Sequence, residues 1–180
     1  MTLTTNARIA GITFFVYLAA GISSLVFAGR AAADVFAVFE SFSALVLGVT
    51  FYAITRDVDR DVALVALACR VIEAVPGNGL IYFAVGNALF CGLLVRGRLI
   101  PRALAWFGVV ASSFLVVLIL SQRAGFLGST RWSSYATWLA WLPVLISQLT
   151  LAVWLLTRGV AASADALPTM RARVPESTPV

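Results

Sequence analysis

Apolar and polar positions in this chain fall into long blocks rather than alternating residue by residue. Ile9–Phe27 runs 19 residues without a charge, between Arg8 and Arg30. At ~1.5 Å per residue such a helix reaches about 28 Å, the thickness of a bilayer's hydrocarbon layer. A secretory signal peptide is the competing reading. Its apolar core is shorter, roughly 7–15 residues, and only Arg8 precedes this run. The block is read as a first membrane helix. Val35–Ile54 predicts a second, with Asp34 at its boundary and Glu40 near its start. The short linker AGRAAAD makes the two antiparallel neighbours.

Val62–Val75 and Leu80–Val95 are shorter, 14 and 16 residues. As one helix they would extend about 51 Å, far beyond a bilayer. Pro76-Gly77-Asn78-Gly79 is a strong turn signal between them. They predict a hairpin of third and fourth helices, either spanning or re-entrant. Ala84, Ala88 and Gly92 recur at intervals of four, a stripe suited to close helix contact. Ala103–Leu120 predicts a fifth helix after the basic loop RGRLIPR. Ser121–Thr137 reads as a polar and aromatic loop, and Trp138–Leu156 as a sixth helix bent in its outer third by Pro143. The expected fold is all-α, a polytopic transmembrane bundle of six spans. Residues 1–160 form the membrane domain, and 161–180 read as a disordered cytoplasmic tail.

Composition supports the membrane reading. The chain is 61% hydrophobic and 12% charged, where a soluble domain carries roughly 25% charged residues. All 13 basic residues are arginine, and histidine is absent. Without lysine or histidine there is no Ser–Lys dyad, no Schiff base and no imidazole ligand for metal or haem. No cofactor is implied. The arginines are scattered between apolar runs and make no basic stripe, so nucleic acid is not an expected partner. They sort by side instead. Arg30, Arg123 and Arg131 fall at one face and Arg70 within the membrane, which leaves nine on the face carrying both termini. The positive-inside rule then places both termini in the cytoplasm of a bacterial inner-membrane protein. Trp106 and Trp154 near inner helix ends, and Trp138 and Trp141 near an outer one, fit interfacial belts. Cys69 and Cys91 lie inside apolar runs and read as buried free thiols.

Two groups of residues carry chemistry. The first is Arg56–Asp61, RDVDRD. Asp57, Asp59 and Asp61 are the candidates for a divalent-cation or phosphate-ester site, and for any enzymatic centre. Arg56 and Arg60 neutralise much of that field. A charged turn that caps the third helix explains the same residues. The second group is a layer in depth. Counting from the arginine at each helix's inner end, Tyr17, Arg70, Asn87, Ser112 and Gln148 all fall about 14–15 Å into the membrane. Glu73 falls near ~20 Å and Glu40 near ~24 Å by the same rise. Arg70 and Glu73, three apart, share a helix face and are expected to pair. An isolated charge at that depth costs about 3 kcal/mol, so the pair must face the bundle interior. The layer either closes into a network that fixes helix packing, or lines a cavity for a small polar or lipid-like ligand.

ARIAGI in the first helix, YAITRDVDRDVALVALACRVIEAV across the charged turn and third helix, GNALFCGLLVRGRLIPRALAWFGVV, and LPVLISQLTLAVWLLTRGV stand in this order along the chain. Together they resemble the bacterial domain-of-unknown-function 4386 family of integral membrane proteins. Their order and spacing over residues 7–160 carry the resemblance. The chain is compressed between its first two helices and between the third and fourth. Gln148 stands where the family pattern leads one to expect a glutamate. The resemblance implies a membrane protein without an assigned activity. The expected partners are the lipid bilayer, a small or lipid-like ligand, and a membrane-protein partner if the polar layer serves only packing in an accessory subunit. No catalytic pair stands out.

Overall fold

A computed structural model describes residues 3–75, 79–126 and 130–161, with side chains given except over 130–138. Among the described residues, six helices follow one another: α1 (Leu3–Val26), α2 (Ala31–Thr55), α3 (Arg60–Glu73), α4 (Gly79–Arg96), α5 (Arg102–Arg123) and α6 (Thr130–Thr157). No strand occurs among the described residues. Each helix packs on its neighbours in chain order, and α1 closes against α6, so the six form a ring. The predicted turn at 76–78 and the tail at 162–180, with Arg171 and Arg173, lie outside the described residues.

The outward faces are apolar. Val38 and Phe42 on α2 are each 68% exposed, and Phe15, Val65, Phe114 and Val153 also face outward. Apolar surface on that scale in a chain of this size belongs in contact with lipid. Among the described residues, five helices are long and apolar enough to cross a membrane. The chain is a multi-pass membrane protein of helical-bundle architecture. The exception is α3, whose 14 residues reach about 21 Å against a hydrocarbon layer of about 30 Å. It is therefore α3, and not the hairpin as a whole, that falls short of a full span.

Two boundaries differ from expectation. α1 begins at Leu3 because Asn6 and Ala7 are buried against the bundle, which extends the helix beyond the charge-free run. α6 begins at Thr130, inside the segment expected to be a loop. Trp132, Tyr135, Ala136 and Leu139 recur there at helical spacing. α6 runs on through Pro143, whose missing N–H leaves the carbonyl of Leu139 without its usual donor. At the other end, the N–H of Ala161 donates to the carbonyl of Leu99 at 2.9 Å, which ties the end of α6 to the α4–α5 turn.

α3 is held between two glycines. A Cβ on Gly48 of α2 would lie 2.9 Å from Cβ of Arg70, and one on Gly86 of α4 would lie 3.0 Å from Cβ of Cys69. Of the expected stripe, Ala84 is fully buried, but the approach to α3 is not at Gly92. A Cβ on Gly92 would meet nothing within 4 Å, and the close approach falls at Gly86 instead. The reason is rotation about the helix axis: the face of α4 that meets α3 is the one bearing Gly86, which the four-residue repeat does not include.

Candidate functional site

The charged turn resolves first. Asp59 is the N-cap of α3: its Oδ1 accepts from the N–H of Val62 at 3.2 Å, and its Oδ2 pairs with Arg96 at 2.8 Å. One carboxylate thus satisfies an orphan N–H and links the start of α3 to the end of α4. Asp61 stands in the first turn of α3, and Asp57 lies 3.8 Å from Arg56 at the surface. Among the described residues, no three acidic, thiol or imidazole groups converge. The three aspartates do different things at different places.

Every member of the expected midplane layer is buried. Tyr17 is 7% exposed, Asn87 3% and Gln148 1%, while Arg70 and Ser112 are fully enclosed. Burial does not make them one network. The layer divides in two, and the two halves share no hydrogen bond among the described residues.

The first half is built on α3. Arg70 Nη1 donates to both oxygens of Glu73, at 2.9 and 3.2 Å. The hydroxyl of Tyr17, on α1, donates to Glu73 Oε1 at 2.8 Å. The guanidinium also lies 5.1 Å from the ring centre of Phe83 and 5.9 Å from that of Tyr17. Cation–π contacts of a desolvated guanidinium contribute about 2 kcal/mol. They compensate in part for Nε, which has no hydrogen-bond partner.

The second half joins α4 and α5 through Asn87 Nδ2, which donates to Ser112 Oγ at 2.7 Å. Gln148, expected to join this network, does not. Neither its amide nitrogen nor its carbonyl oxygen has a partner. The crevice beside it, between Asn87, Gly108 and Ser147, has no room for a water molecule. Depth along a helix fixes the height of a side chain and leaves its direction open, and Gln148 points where no donor or acceptor meets it.

A cavity of about 370 Å³ adjoins the first half. Tyr17, Glu40, Ser41, Ala44, Glu73, Phe83 and Trp141 line it, together with the end of α3 and the start of α4. Two features of the sequence create this space. α3 stops short of a full span, and α2 borders the space with the small residues Ala37, Ser41 and Ala44, spaced by four and three. That spacing was the available signal for the cavity. Trp141, expected in an interfacial belt, stacks on Phe83 with ring centres 5.3 Å apart and lines the cavity. Trp106 does face outward, 55% exposed, and the side chain of Trp138 is outside the described residues.

Toward the helix ends that carry Arg8, Arg56 and Arg96, three rings pack together across the interior. Phe14 meets Phe51 edge-on at 5.6 Å, and Phe51 meets Phe90 at 5.3 Å. All three are buried and lie about 8–9 Å above the arginines of their own helices. The cavity lies on the far side of these rings from those arginines, beside the end of α3 and the start of α4. A hollow of about 500 Å³ lies between the start of α1 and the end of α2 and is bounded by the exposed pair Arg56 and Asp57. Cys69 and Cys91 are buried free thiols.

The family profile named Domain of unknown function (DUF4386) matches residues 77–159. The chain resembles that family over the stretch containing α4, α5 and α6. Tyr17, Glu40, Arg70 and Glu73 precede the matched stretch, so the first half of the polar layer rests on this chain's own geometry. Among curated proteins and among solved structures, none matches the chain.

Proposed function

We propose that this membrane protein binds a small amphipathic ligand in the cavity beside Tyr17, Glu40 and Glu73, with Arg70 as the buried counter-charge of Glu73. The single observation that carries the reading is the cavity itself. Its 370 Å³ falls within the roughly 300–1,000 Å³ of small-ligand sites, and two carboxylates stand on its wall within an otherwise apolar bundle. Ionisable groups at membrane depth are costly, and they are retained mainly where they serve a pathway or a ligand. The volume suits a compact molecule better than a two-chain lipid. The arginine distribution supports a cytoplasmic-membrane location with both termini inside, so that the cavity opens to the outer side.

A second reading rests on Asn87 and Ser112. Their bond is short and buried, in dry surroundings, and joins two helices. Such a pair fixes packing, as an accessory subunit would require. It accounts for the second half of the layer and leaves the cavity unexplained.

The test fills the cavity. Ala44 is 1% exposed and lies on its wall. Protein purified in native-lipid discs is released into a mass spectrometer, and its small-molecule complement is compared with that of Ala44→Phe. A species retained by the parent and lost from the variant supports the reading. Identical complements from two folded proteins contradict it.

A further inference from the structure

We propose that the ligand of this cavity is an organic cation, an ammonium group on a compact aromatic or aliphatic body, held at Glu40. The inference rests on the cavity being a ligand site and adds the chemistry of what enters it. It follows from charge balance on the cavity wall. Glu73 is satisfied: Arg70 Nη1 reaches both of its oxygens and Tyr17 donates to one of them. Arg70 is fully enclosed, does not line the cavity, and is occupied by Glu73. An entering anion would meet two carboxylates and no accessible guanidinium.

Glu40 is different. Among the described residues it forms no ion pair. Its neighbours on α1 are the Ser24 side chain and Gly21, where a Cβ would stand 3.1 Å from Glu40 Oε1. It is half-buried and faces the cavity. A carboxylate at this depth without a cation is unfavourable, and an ammonium group within contact distance relieves it. The rest of the wall suits the body of such a molecule. Tyr17, Phe83 and Trp141 supply three aromatic rings, and Ala44 and Leu80 complete the apolar surface. Aromatic rings beside a carboxylate are the common means of holding ammonium groups.

Three probes that share one ring and differ in charge test the assignment: benzylammonium, benzyl alcohol and benzoate. Equilibrium binding to the whole protein in lipid nanodiscs is measured, corrected for empty discs. Benzylammonium is expected to bind at least about tenfold more tightly than benzyl alcohol, since a partly screened ion pair and ring contacts supply that much. Glu40→Gln should remove this preference. Equal affinities for all three probes, or a preference for benzoate, overturn the cation assignment while the ligand cavity stands. A preference that survives Glu40→Gln overturns the role of Glu40. If no probe binds, or if Ala44→Phe leaves benzylammonium affinity unchanged, the cation assignment and the cavity reading fail together.

Discussion

Tyr17 on α1 donates its phenolic hydrogen to Glu73 on α3 at 2.8 Å, although these two helices make no backbone approach to each other. The bond spans the bundle interior beside Ala44 of α2, which lines the same cavity. It couples the cavity wall to the buried ion pair, because Glu73 serves both. Tyr17→Phe removes one hydrogen bond to a carboxylate and keeps the ring stacked near Phe83. The expected loss is about 1–2 kcal/mol of unfolding free energy, measured by denaturant titration in bicelles. An unchanged midpoint would show that the contact contributes nothing.

Arg70 and Glu73 are predicted to be strongly coupled. Glu73→Gln leaves a desolvated guanidinium without its counter-charge and should cost roughly 3–5 kcal/mol. Arg70→Met leaves the carboxylate with Tyr17 alone and should cost a similar amount. The double substitution should cost less than the sum by about 2 kcal/mol or more, since no unpaired charge remains. Additive losses in the same denaturation assay would mean that the two side chains act separately.

Gln148 gives a prediction of the opposite sign. Its amide is buried with neither end bonded, so it contributes desolvation cost and no compensating bond. Gln148→Leu conserves volume, and it should leave stability unchanged or raise it by about 1 kcal/mol. Ser112→Ala orphans the Asn87 amide and should lower stability by about 1 kcal/mol. A marked loss for Gln148→Leu would show that the glutamine has a partner in the folded protein.

The approach of α3 depends on Gly48. Gly48→Ala places a methyl group 2.9 Å from the Cβ of Arg70, so the backbone of one helix must move. The expected cost is about 1–3 kcal/mol. Gly92→Ala, whose Cβ meets open space, should be neutral or slightly stabilising on account of helix propensity. Equal effects of the two would contradict the packing described.

Much of this architecture was legible in the sequence. Charge-free runs between arginines located the helices, because hydrocarbon tolerates little else. The burial of Arg70 followed from a lone cation in an apolar run, and its partner from the three-residue spacing to Glu73. What failed was direction. Residue counting placed Gln148 and Asn87 at one depth, but it could not say which way each points about its helix axis. Gln148 therefore shares the depth of Asn87 without sharing its hydrogen bond. The small residues of α2 signal one wall of the cavity, and no single segment signals the whole. It arises where a short α3, the small face of α2 and the rings of α1, α4 and α6 meet.

Thiol labelling at Ser41 tests most directly the claim that a polar cavity opens beside Glu73 at one end of this bundle. Ser41 lines the cavity, and the native thiols Cys69 and Cys91 are first replaced by alanine. Ser41→Cys is then exposed to a small membrane-impermeant cationic methanethiosulfonate, in intact cells and in inverted vesicles. The account predicts rapid labelling in intact cells, slow labelling in inverted vesicles, and loss of the rapid reaction when Ala44→Phe is added. Labelling from the cytoplasmic side alone, or none from either side in a folded protein, would contradict it.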